Sequence, residues 1–154
     1  MGDYLKFGFW DTCMGMTDPF SISVVAAVRE GELDKLKNMY FEGMDINLND
    51  DNGHSLIVIA AGNGNLEMFK YLYEKGAFLY YLDMWGQTLL HLAAAGGNRE
   101  IVQILLDGGF EVNVQDNDAS SVLYAATMGK HEEVVKLLLE HGAYKDWYEE
   151  NEYV

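Results

Sequence analysis

Residues 83–115 read DMWGQTLLHLAAAGGNREIVQILLDGGFEVNVQ, and the chain returns to that pattern every 33 residues. In this register Asp83 falls on Asp50 and Asp116, and Gly109 falls on Gly43, Gly76 and Gly142. Ala93-Ala94 falls on Ala60-Ala61, Ile101-Val102 on Met68-Phe69 and Val134-Val135, and Asn113 on Asn47. Within one copy the residues predict a turn and two short helices. The turn is Asp83-Met84-Trp85-Gly86. Thr88 then opens a helix carrying Leu89, Leu90, Leu92, Ala93 and Ala94, which Gly96-Gly97-Asn98 ends. A second helix carries Ile101, Val102, Ile104, Leu105 and Leu106 at helical spacing, and Gly108-Gly109 closes it. Helices this short and this apolar acquire a core by stacking against neighbouring copies.

A turn–helix–helix unit of this length, with Thr88, Leu90 and His91 at its start, resembles the ankyrin repeat family, whose pattern runs roughly D-x-x-G-x-T-P-L-H-x-A-A. The likeness covers about residues 18–143. The 50–82 copy has Ser55, Ile57 and Val58 where the 83–115 copy has Thr88, Leu90 and His91; the 116–148 copy has Ser121, Leu123 and Tyr124. None carries proline at the family's place. The fold class this implies is all-α, an ankyrin-repeat solenoid of turns and helix pairs with a concave face. The division expected is an N-terminal non-repeat segment 1–16, a repeat domain 17–148 with units 17–49, 50–82, 83–115 and 116–148, and an acidic tail 149–154.

Ten Lys and Arg stand against 25 Asp and Glu, a net charge of −15. Nucleic acid and anionic membranes are bound through basic patches, so that balance argues against both as direct partners. It fits a basic partner protein, a surface that imitates a polyanion, or solubility alone. The single cysteine, Cys13, excludes an internal disulfide and fits a reducing compartment, so the expected location is cytoplasmic or otherwise intracellular. No apolar run is long enough to span a membrane. Met1-Gly2 lacks the Ser or Thr of a myristoylation start, because Lys6 stands there.

Along the chain, Tyr4, Phe7, Phe9 and Trp10 give residues 1–16 too many aromatics for a solvated tail. They are expected to cover the open end of the stack, with partner contact as the alternative. Asp18-Pro19 is a helix start, Asp as N-cap and Pro at the first helical position. In the fourth unit the helix-ending glycine is displaced by one place, to Gly129, and Ala119 replaces the turn glycine. Trp147 and Tyr148 are expected on the last helix, and Glu152-Tyr153-Val154 resembles a C-terminal PDZ-domain ligand only over three residues.

The motifs that carry chemistry are missing. There is no H-E-x-x-H, C-x-x-C, G-x-S-x-G or phosphate-loop spacing, so no catalytic, metal or cofactor residue is expected. Asp45, Asn47, Asn49 and Asp51 alternate like a calcium loop, but the required glycine would be Asp50 and the final glutamate Leu56. The family likeness implies bracing roles for His91 and His131, while His54 lies at a turn tip. It also implies a partner-binding face of turn tips and first-helix surfaces. The expected contacts are Tyr81, Leu82, Met84, Trp85 and Gln87, with Asp51, Asn52 and His54 on one side and Gln115, Asn117 and Asp118 on the other. A solvated turn tip has no structural need for Leu82, Met84 or Trp85, and exposed apolar clusters mark interaction surfaces. The function expected is therefore a non-enzymatic module gripping another protein. The alternative is an acidic inhibitor, viral or bacterial, that blocks or mimics a polyanion or nucleic-acid site on a basic partner.

Overall fold

The computed structural model describes residues 18–144. The expectations for residues 1–16, Trp147, Tyr148 and the acidic tail lie outside the described residues. Eight α-helices follow one another among the described residues, paired as α1 (Pro19–Glu30) with α2 (Leu33–Met39), α3 (Leu56–Gly62) with α4 (Leu66–Glu74), α5 (Leu89–Gly96) with α6 (Arg99–Asp107), and α7 (Val122–Met128) with α8 (Glu132–Glu140). This is the all-α repeat stack that the period implied. Asp18 caps α1 by accepting the Ser21 N–H at 2.9 Å, ahead of Pro19, which has no N–H to leave unpaired.

The core is one continuous ribbon through all four pairs. The later first helices bury two apolar residues at their start and small ones one turn later: Leu56, Ile57, Ala60 and Ala61 in α3, Leu89, Leu90, Ala93 and Ala94 in α5. Each second helix buries one stripe, as in Met68, Phe69 and Leu72 or Ile101, Val102 and Leu105. The small residues let first helices approach closely. A Cβ on Gly96 would lie 2.2 Å from the Ala61 carbonyl oxygen, so that contact admits only glycine. First helices pack on one another more closely than second helices do.

Side chains between the paired helices also bridge units, Asn98 and His131 from one register position and Asn63 from another. Asn63 Nδ2 donates to the Arg29 carbonyl at 3.2 Å, and Asn98 Nδ2 to the Gly64 carbonyl at 3.1 Å. The His131 Nε2 lies 2.8 Å from the Ala95 carbonyl and takes the same place in the last pair. Gly129 stands one place before the left-handed position. Gly129 keeps a right-handed φ of −73°, and Lys130 takes the left-handed position with φ 59°. Lys130 stands in register with Gly31, Gly64 and Gly97, so the glycine moved in sequence while the backbone geometry stayed where stacking requires it.

Candidate partner-binding face

Each turn is built around an aspartate. Asp50 Oδ1 accepts the N–H groups of Asn52 at 2.9 Å and His54 at 2.8 Å. Asp83 Oδ1 accepts those of Trp85 at 2.9 Å and Gln87 at 2.7 Å, and Asp116 Oδ1 those of Asp118 at 3.0 Å and Ser120 at 2.9 Å. Bridges Asn49–Ser55, Leu82–Thr88 and Gln115–Ser121 close the three tips. Gly53 and Gly86 supply the positive φ that the tip needs, and Ala119 adopts φ 61° at the same place.

The second carboxylate oxygen of each aspartate faces the preceding unit. Asp50 Oδ2 receives Arg29 at 2.9 Å, and Asp116 Oδ2 receives the Gln87 amide at 3.4 Å. Asp83 Oδ2 is buried and has no hydrogen-bond partner among the described residues. The register mate of Gln87 that would serve it is His54, whose Nδ1 instead sits 3.5 Å from Asp50 Oδ1, with its ring against Tyr81. Burial pulls the Asp50 carboxyl upward, but the His54 and Asn52 amides and the Arg29 guanidinium outweigh it and hold the group below its ordinary value. Asp116 is held low in the same way, against burial, by the Ser120 amide, Gln87 and the Asp118 amide. Burial, with Asp83 and Asp50 close by, pushes the Tyr81 hydroxyl up to about 12.

His91 braces the junction of the third and fourth turns. Thr88 N–H donates to Nδ1 at 3.2 Å, and Nε2 lies 3.2 Å from the Ser120 carbonyl, so the fitting tautomer is neutral with its proton on Nε2. Burial lowers the His91 pKa and favours that neutral form. The residue is structural.

The expected contact residues divide into two sets. Leu82, Met84 and Trp85 are 69%, 77% and 53% exposed. Asp51, Asn52, Gln115, Asn117 and Asp118 are also exposed around them. Tyr81, His54 and Gln87 are half-buried, and Gln87 spends its amide on Asp116. Asn117 is likewise engaged, its N–H donating to the Trp85 carbonyl at 2.8 Å and its Nδ2 to the Met84 carbonyl at 3.1 Å. Those two bonds fix the backbone under Met84 and Trp85, so the apolar side chains project from a rigid tip.

The apolar surface also runs upstream of the tip. From Ala77 to Met84 side chains alternate: Ala77, Leu79, Tyr81 and Asp83 turn inward, while Phe78, Tyr80, Leu82 and Met84 are exposed. In the preceding unit the outward places hold Asp45, Asn47, Asn49 and Asp51; in the following unit they hold Glu111, Asn113, Gln115 and Asn117. One apolar column therefore lies between two polar ones. Phe78 and Tyr80 add to the tip residues expected from the sequence. The column is legible in the sequence, where the three segments share the 33-residue register.

Among the described residues there is no group of three or more His, Cys, Asp or Glu placed to hold a metal ion, and no helix long and apolar enough to cross a membrane. A family model described as ankyrin repeats (3 copies) matches residues 24–116 and 78–149. No curated protein matches the chain.

Proposed function

The chain belongs to the ankyrin repeat family, whose repeats generally serve as protein–protein interaction modules, and on that basis we propose that it is a non-enzymatic intracellular module that binds another protein through its turn tips and first-helix side. The binding centre is the junction of the second and third units. Trp85 and Met84 are the anchors, Leu82 and Gln115 lie beside them, and Asp51, Asn52 and Asp118 form a largely acidic rim. The observation that carries this reading is the exposure of Leu82, Met84 and Trp85 on a tip whose backbone Asn117 holds fixed. Burying large apolar groups on a prearranged backbone is an efficient source of affinity, because little entropy is lost in ordering them. No cofactor, nucleic acid or membrane takes part in this reading.

The net charge of −15 favours one other reading, an acidic inhibitor that occupies a polyanion site on a basic partner. One comparison separates the two. The partner is captured from the native source by affinity pull-down and identified by mass spectrometry. Its affinity is then measured for Trp85→Ala and Asp118→Ala, with melting curves for both. An aromatic anchor is worth about 2 kcal/mol when truncated, roughly a thirtyfold loss of affinity, whereas a rim charge changes association rate and salt dependence. Intact affinity with lowered stability in Trp85→Ala makes the tryptophan internal packing and rejects the proposal. A larger loss in Asp118→Ala transfers the function to the charge-driven reading.

A further inference from the structure

We propose that the outward face of residues 78–84 docks an amphipathic helix of the partner protein, apolar along the docking side and carrying Lys or Arg on both margins of it. The inference rests on the protein-binding reading above and extends it from the turn tip down the extended segment. Its first support is a structural concession at Tyr80. In the flanking units the same place holds asparagine, and that asparagine ties each unit to the next. Asn47 Oδ1 accepts the Phe78 N–H at 2.8 Å, and Asn113 Oδ1 accepts the Tyr144 N–H at 2.8 Å. Asn113 Nδ2 also donates to the Gly142 carbonyl at 3.0 Å. Tyrosine has no amide to offer there. Its ring stands 96% exposed and meets Phe110 with centroids 6.4 Å apart. A linking side chain has been exchanged for a solvent-facing aromatic, which serves a ligand better than it serves the stack.

The second support is shape. Four outward residues, Phe78 to Met84, span about 20 Å at strand rise, the length of roughly 13 residues of α-helix. Successive units stand about 10 Å apart, a helix-packing distance, so the column matches the width of one helix. A bound strand, at about 4.8 Å spacing, would leave the flanking columns unreached.

The third support is charge. Asp45 and Glu111 flank the Phe78 end, and Asp51 flanks Met84. No Lys or Arg among the described residues forms an ion pair with these three carboxylates. Basic residues on the helix margins would complement them.

The probe is a phage-displayed library of random 16-residue peptides, selected on the full-length protein. Selected peptides are synthesised, and their affinities are measured for wild type, Trp85→Ala and the pair Tyr80→Asn with Leu82→Gln. That pair copies the residues of the following unit at the same register, so it folds if the stack folds, and far-ultraviolet circular dichroism checks this. The expected peptides carry apolar residues at i, i+4, i+7 and i+11 beside Lys or Arg. They gain helicity on binding and lose at least tenfold in affinity on the paired variant. Peptides with apolar residues at every second position, or peptides that bind the paired variant as well as wild type, overturn the proposal. If such peptides still weaken on Trp85→Ala, the turn-tip reading stands and only the docking stripe falls; if neither variant weakens them, both fall. Absence of enrichment over the unselected library also overturns it.

Discussion

Replacing Tyr80 by asparagine should stabilise the protein while weakening its binding surface. The asparagine restores the missing link, with its Oδ1 placed for the Glu111 N–H and its Nδ2 for the Gly109 carbonyl, as Asn113 does for Tyr144 and Gly142. Two such hydrogen bonds contribute about 1–2 kcal/mol together. The change also removes the contact with Phe110, and a ring as exposed as that of Tyr80 contributes near the low end for an aromatic pair, about 0.5 kcal/mol. The balance favours the variant by about 1 kcal/mol, or about 2–4 °C in melting temperature for a domain of this size. Tyr80→Ser is the control, since it loses the ring and gains no link. The assay is urea unfolding followed by helix circular dichroism, read as a shifted midpoint at constant slope. Asn should exceed Ser by about 1.5 kcal/mol. If the two variants unfold together, the asparagine link contributes nothing at this junction, and the case for a concession at Tyr80 fails with it.

Three further outcomes follow from the turns. His54→Gln should raise the melting temperature, because a glutamine at the register of Gln87 can reach the orphaned Asp83 Oδ2, for which an unmet buried oxygen costs about 1–3 kcal/mol; a His54→Ala variant just as stable as His54→Gln would show that the oxygen is already served. Ala119→Gly should stabilise the fourth turn by roughly 0.5–1 kcal/mol, since a left-handed L-residue costs about 1–2 kcal/mol and glycine gives back about 0.4–1 kcal/mol in unfolded-chain entropy, and a lower melting temperature would contradict this. Stability should also fall in two stages on acidification. The folded-state pKa of His91 lies below the ordinary 6.5, so its contribution is present above pH 6.5 and is lost as the pH falls through that value toward the folded pKa. Asp50 and Asp116 lie below 3.8 when folded, so their contributions persist down to that pH and are lost beneath it. A pH titration of unfolding midpoints checks both stages, and a His91→Gln variant should lose the upper one.

The period alone determined the architecture. A 33-residue recurrence of Asp, Gly and paired apolar positions leaves each unit unable to bury itself, and stacking resolves that whatever the individual residues are. It also identified the turn aspartates and the unusual tip at Leu82, Met84 and Trp85, while the bracing role of His91 came from the family likeness. Which side chains near that tip are free was decided by contacts between units. Gln87 and Asn117 are as polar as Asp51 and Asp118, yet one serves Asp116 and the other holds the backbone of Met84 and Trp85. Those bonds join residues 29 and 33 positions apart, and local pattern carries no trace of them. The same holds for Lys130, which is not a glycine and still takes the left-handed position, because the stack fixes backbone geometry by register and leaves the residue to conform.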